Sequence, residues 1–293
     1  MKNTFLIFMV LILCSFLITS CGDEDTSSSE SFDLTISGLE DLGNDFAYEG
    51  WIMVNGTPQT TGVFTVDADG NLSQNSFDVA AEDLEIATAF ILTVEPSPDS
   101  DPAPSDVHVL AGDFSGNSAV LTVGHGAALG NDFATVAGTY ILATPTDADD
   151  TNEDSGIWFL DNSSGMPEVG LDLPTLPAGW AYEGWAVING TPVSTGTFTS
   201  ATGADNGAIY SGPNGGPAYP GEDFLTNAPS GITFPTSLNS GTAVISIEPV
   251  PDNSAAPFAL KPLVGMIPAN ANVHEAIDMG QNLGSLPTGT VNR

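Results

Sequence analysis

Four glutamates are the residues of this chain best placed to do chemistry, because each occurs twice in the same surroundings. Residues 47–65, AYEGWIMVNGTPQTTGVFT, return as residues 181–199, AYEGWAVINGTPVSTGTFT, with thirteen of nineteen positions identical at an offset of 134. Glu49 and Glu183 lie in these segments, and Glu95 and Glu248 end a later repeated run, ILTVEP and VISIEP. Two carboxylates about 5–10 Å apart can serve as acid and base in glycoside hydrolysis, which makes a glycosidase one reading of the duplicated glutamates. The plainer reading is that a glutamate inside a repeated strand pairs with backbone donors or faces solvent. On that reading there are no catalytic residues and the chain is not an enzyme.

Other chemistry finds less support. His108, His125 and His274 do not recur at equivalent positions and lack the close spacing of a metal-binding pair, so no metal ligands are assigned among them. No serine stands in a Gly-x-Ser-x-Gly elbow. Trp51 and Trp185 are repeated aromatics that a carbohydrate-binding module would use as a platform, although a strand tryptophan generally belongs to the core. The acidic runs Asp67-Ala68-Asp69-Gly70-Asn71 and Asp147 to Asp154 gather oxygen ligands of the kind Ca²⁺ takes. Gly70 comes two residues too early for an EF-hand, and Asp-Gly is ordinary hairpin-turn chemistry. A calcium-stabilised adhesin and plain turns therefore both remain open, and no cofactor is implied.

Composition restricts the partners. The chain has 37 acidic residues against three Lys and Arg, a formal charge of −34. Nucleic-acid binding needs lysines and arginines over phosphates, so nucleic acid is excluded as a partner. A chain that is 41% apolar and 14% charged is still amply able to form a core.

The N-terminus indicates location. Lys2 precedes an apolar run from Phe5 to Ile18, fourteen residues, which is the charged start and short apolar core of a secretory signal rather than a span of about 20 residues. Leu17-Ile18-Thr19-Ser20-Cys21 resembles the lipobox of bacterial lipoproteins. The resemblance implies cleavage before Cys21, acylation of its sulfur and attachment to a membrane, giving a signal peptide over 1–20. Cys14 would leave with the signal, so no disulfide, thiolate zinc site or cysteine nucleophile would remain. Residues 21–31 are small, polar and acidic, a flexible tether. Asp23 to Asp25 resembles the surface-export signal of lipoproteins in the Bacteroidetes lineage, which implies the outer face of the cell, or else it is a solvated linker, so the location expected is the cell envelope, periplasmic or outer-surface.

The remainder reads as strand. Phe32, Leu34 and Ile36 alternate with polar residues, and Asn55-Gly56-Thr57-Pro58 is a hairpin turn between β-rich runs. Short strands separated by Gly, Pro, Asp and Ser clusters, with at most a helical turn within 79–88, indicate an all-β chain of two tandem β-sandwich-like modules, 32–165 and 166–293. The segment 203–241 is rich in Gly, Pro, Asn and Ser and reads as a surface loop added to the second copy. The runs GTYILATPTD and SGIWFLD have no clear counterpart after residue 283, and either pack between the modules or end the first one.

The repeated motifs, taken in order, resemble the C-terminal extracytoplasmic domain of anti-sigma-K factors. They are Tyr48-Glu49-x-Trp51, Gly56-x-Pro58, Gly62-x-Phe64, Glu95-Pro96 and Leu110-Ala111-Gly112, and again Tyr182-Glu183-x-Trp185, Gly190-x-Pro192, Gly196-x-Phe198, Glu248-Pro249 and Leu263-Val264-Gly265. Gly50 and Gly184 depart from the family, which more often has a bulkier apolar residue there. The resemblance implies a sensory or binding β-domain in the cell envelope with a protein or glycan partner. The family's transmembrane helix and cytoplasmic sigma-binding domain have no counterpart after Cys21, so direct sigma-factor binding is not expected.

Overall fold

The computed structural model describes residues 28–252 and 254–293, so Cys21, the signal segment and most of the tether lie outside it. The first copy contributes β1 (Ser29–Ser37), β2 (Phe46–Val54), β3 (Thr57–Phe64), β4 (Ser76–Ala80), the one-turn α1 (Ala81–Ile86), β5 (Ala89–Pro96), β6 (His108–Ser115), β7 (Ser118–Thr122) and β8 (Ala137–Leu142). β9 (Gly156–Trp158) and β10 (Leu160–Asp161) follow, and the second copy contributes β11 (Glu168–Val169), β12 (Leu171–Asp172), β13 (Trp180–Ile188), β14 (Thr191–Phe198), β15 (Gly221–Asp223), β16 (Thr242–Pro249), β17 (Leu263–Met266), β18 (Ile277–Gln281) and β19 (Thr288–Asn292). The protein is nearly all β, in two large antiparallel sheets that form sandwich-like modules.

Local sequence accounts for the hairpins. Asn55 and Gly56 have φ of 51° and 79°, and Asn189 and Gly190 have 51° and 84°, the left-handed pair that a two-residue turn needs to match strand twist. Each hairpin then carries the same bulge, with Thr61 opposite the Gly50–Trp51 step and Thr195 opposite Gly184–Trp185. A Cβ on Gly50 would come within 2.5 Å of Thr61 Oγ1 and 2.8 Å of the Phe90 ring. On Gly184 it would meet Thr195 Oγ1 at 2.4 Å and the Phe159 ring at 2.6 Å. Aromatic rings, Phe90 from the adjoining β5 and Phe159 from between β9 and β10, thus fill the space a bulkier residue would take.

The sheets do not follow the division at 165/166. One runs β3-β2-β5-β6-β7-β19-β1-β4 and the other β14-β13-β16-β17-β18-β8-β9-β15, with β12 also on β8. The first six positions of the two paths match, with β19 standing where β8 stands, and beyond them the place of β1 is shared by β12 and β9, both paired with β8. Each copy therefore gives a strand of matching sequence, β8 or β19, to the other copy's sheet. β8 pairs with β18 and β9, and β19 pairs with β7 and β1. The counterpart of GTYIL is TGTVN at the C-terminus, whereas SGIWFLD has none. GTYIL and the start of SGIWFLD form β8 and β9 of the second sheet, and Leu160–Asp161 forms β10, which pairs with β11. By strand pairing the modules comprise 29–122 with 288–292, and 137–281.

A continuous core joins the two, including Phe32, Phe90, Leu121 and Val291 on one side and Tyr140, Phe159, Ile245 and Leu263 on the other. Tyr48 stacks on Phe64 with ring centroids 5.6 Å apart, and Tyr182 on Phe198 at 5.7 Å. Each tyrosine hydroxyl donates to a carbonyl eight residues earlier, Glu40 at 3.1 Å and Pro174 at 2.7 Å. Trp51 and Trp185 are 2% and 1% exposed. Trp51 lies outside the main core, in a small cluster with Ile91, Ala111 and Ala128. The alternation along β2 and β5 sends Tyr48, Ile52, Phe90 and Leu92 into the main core and leaves Glu49, Trp51, Thr93 and Glu95 on the opposite face.

Candidate functional site

That opposite face carries the duplicated glutamates. Glu49 sits across from Thr93 and Ala47 across from Glu95, so the two carboxylates of the first copy are diagonal neighbours on adjacent strands. In the second copy Glu183 sits across from Ser246 and Ala181 across from Glu248, in the same relation. Hydroxyls bind these groups together. Trp51 Nε1 donates to Thr93 Oγ1 at 2.9 Å, and Thr93 donates onward to Glu95 Oε1. Trp185 Nε1 donates to Ser246 Oγ at 2.8 Å, and Ser246 donates to Glu248 Oε1. Thr60 and Ser194 donate in the same way to Glu49 and Glu183. A hydroxyl recurs at every step, threonine in the first copy and serine in the second.

Backbone amides complete part of this shell. Ser105 N–H donates to Glu95 Oε1 at 2.9 Å, and Phe258 N–H donates to Glu248 Oε1 at 2.9 Å. The copies then diverge. In the second, the chain leaves β16 through Pro249-Val250-Pro251 and brings the partly exposed Asp252 back to the glutamates. One carboxylate oxygen each from Glu183, Glu248 and Asp252 lie within 4.8 Å of one another, the one such convergence of three His, Cys, Asp or Glu among the described residues. Glu183 is 5% exposed and Glu248 1%. Glu183 Oε2 is buried and has no hydrogen-bond partner among the described residues.

Burial and mutual repulsion mark the electrostatics. Burial pushes the Glu248 carboxyl up to about 7, opposed by the Ser246 hydroxyl and the Phe258 amide, with Asp252 and Glu40 adding to the rise. Glu183 is raised well above the carboxylate range by burial, and Glu248 and Asp252 push it further. Glu40, from the loop after β1, is raised to about 7 by burial, with Lys261 acting against the rise. Burial in turn lowers Lys261, while Glu40 and Glu248 favour its charged form. A cavity of about 260 Å³ opens on this group, lined by Glu40, Asp41 and Phe46 from the first copy and by Glu248, Asp252 and Phe258 from the second. Chemically, carboxylates so placed either share protons or hold a cation.

The other candidates are dispersed. His108 Nδ1 lies 2.7 Å from the Ala127 carbonyl, His125 lies 3.3 Å from Asp113, and His274 lies 3.4 Å from Glu153. In the acidic loops the carboxylates cap their own turns. Asp67 Oδ1 accepts from the amides of Asp69 and Asn71, and Asp147 Oδ1 from that of Asp149. The 203–241 segment is more than a surface loop, because β15 within it pairs with β9 and buries Glu222 and Asp223. Asp223 accepts from Thr146 N and Oγ1 and from Trp158 Nε1, which compensates its burial. Sequence reasoning missed this pair, and also missed Asp252. The signal for Asp252 was available, since EPSPD at 95–99 and EPVPD at 248–252 repeat the aspartate with the glutamate. A scan of protein-family models, a search of curated proteins and a search of solved structures each return no match to this chain.

Proposed function

We propose that the protein is a cell-envelope lipoprotein, anchored through an acylated Cys21, whose two modules similar to the anti-sigma-K outer domain bind a partner outside the cytoplasm without catalysing a reaction. The observation that carries the reading is the agreement between copies. Trp51–Thr93–Glu95 and Trp185–Ser246–Glu248 join the same groups in the same order, and the glutamates accept from hydroxyls of their own sheet. Such a network supports a rigid binding scaffold better than an acid and base waiting for substrate. Among the described residues no helix is long and apolar enough to cross a membrane, so on this reading the attachment is the lipid. β1 begins eight residues after Cys21, a reach of at most about 29 Å, which keeps the modules close to the surface that holds them.

Metabolic labelling with palmitate, followed by cell fractionation, tests the reading. The wild-type chain should incorporate label and sediment with membranes, whereas Cys21→Ser should do neither. Label retained in Cys21→Ser, or a wild-type chain found only in the cytoplasm, would overturn it.

A further inference from the structure

We propose that Glu183, Glu248 and Asp252 form a binding site for one hard divalent cation, with Ca²⁺ the ion that fits best. The site is built independently of the anchor and of any partner. Oxygens bound to a common Ca²⁺ lie 2.3–2.6 Å from it, so two of them are separated by at most about 5 Å. The three oxygens here lie within 4.8 Å of one another. All are carboxylate oxygens, the donors a hard cation prefers.

A second observation points to a ligand at the same place. Glu183 Oε2 is buried without a hydrogen-bond donor, while Oε1 of the same carboxylate is held by Ser194. An ionised oxygen in that position requires a positive partner, since desolvation without one is expensive. Lys261 is the nearby ammonium, and the carboxylates that favour its charged form are Glu40 and Glu248, not Glu183 or Asp252. Two of the three carboxylates are held by hydrogen bonds from Ser194, Ser246 and Phe258, the last two buried, so much of the site is already formed. The partly exposed Asp252 and the adjoining cavity provide access, and room for the waters that complete six to eight oxygen ligands. The first copy keeps Glu49, Glu95 and Asp99 but does not bring them into coordination reach among the described residues, so it is a control within the same chain.

Isothermal titration of the chelator-treated full chain with CaCl₂, and separately with MgCl₂ at matched ionic strength, tests the proposal. One saturable Ca²⁺ site per chain is expected, with a dissociation constant on the order of 10⁻⁴–10⁻³ M, as for extracellular modules, and weaker binding of Mg²⁺. Asp252→Asn, a partly exposed change that should not disturb folding, and Glu183→Gln should each weaken binding at least about tenfold. Glu49→Gln and Asp99→Asn should leave it unchanged. Absence of saturable binding would overturn the proposal, as would binding indifferent to Asp252→Asn and Glu183→Gln, which would place calcium in the acidic loops. A stability profile that shifts with pH in these two variants, without calcium binding in the wild type, would show that the carboxylates share a proton instead.

Discussion

Leu34 of the first strand is paired with Val291 of the last, so the two ends of the described chain lie side by side in one sheet. Val291 is fully buried, and β19 makes five residue pairs with β1 and five with β7. Beyond it Arg293 donates to the carbonyls of Leu84, Ala87 and Gly116 and lies 4.3 Å from the Phe114 ring centroid. Deleting 288–293 would open the first sheet between β7 and β1. At about 0.5–1.5 kcal/mol net per hydrogen bond, with Val burial added, the loss is comparable with the ~5–15 kcal/mol that stabilises a typical domain. The truncated chain should show no cooperative unfolding of its first module by calorimetry. A wild-type melting profile would refute the strand exchange.

The indole-to-hydroxyl-to-carboxylate chains should be stabilising in both copies. Ser246→Ala strands Trp185 Nε1 and removes one donor from Glu248, each inside the protein, at a cost of about 1–3 kcal/mol. Trp51→Ala removes a buried indole and should cost about 3–5 kcal/mol. Urea titrations followed by circular dichroism measure both, and an unchanged midpoint for Trp51→Ala would point to a surface role for that side chain.

Stability should fall as pH rises from about 5 to 8 in the absence of divalent ions. Glu40, Glu248 and Asp205 are each raised to about 7, chiefly by burial, and Glu183, Glu49, Glu222 and Asp223 are raised as well. A carboxyl whose folded-state value is raised contributes stability that is complete below its unfolded value near 4–4.5 and is lost as pH climbs through the folded value. Asp67, Asp149 and Asp161 are lowered by hydrogen bonds in their own turns and act in the opposite sense, but below about pH 4. The lowering of Lys261 acts near pH 10, outside this window. Calorimetry in chelator at constant ionic strength should show the decline, and Glu40→Gln should flatten part of it. A midpoint rising from pH 5 to 8 would contradict the assignment.

Added NaCl should raise the unfolding midpoint. With 37 acidic residues against three Lys and Arg, repulsion outweighs ion pairing, and the screening length shortens from about 30 Å at 0.01 M to about 8 Å at 0.15 M. Thermal scans across that range decide the matter, since a falling midpoint would mean that attractive pairs dominate.

Sequence alone determined what depends on near neighbours. The Asn-Gly turns dictate two hairpins because few other residues adopt left-handed φ twice in succession. The alternation of Phe32, Leu34 and Ile36 sets which face of β1 is buried, and residues 81–86 form their single turn within the stretch where one was expected. Only the tertiary structure decided the partners. β8 and β19 derive from equivalent segments and share a Gly-Thr core, so local propensity suits either sheet and distant pairing settles the exchange. The carboxylates divide in the same way. Repetition singled out Glu49, Glu95, Glu183 and Glu248 together, but which of them converge depends on the course of the chain after β16 and on burial between sheets, neither of which is encoded in the spacing of the residues themselves.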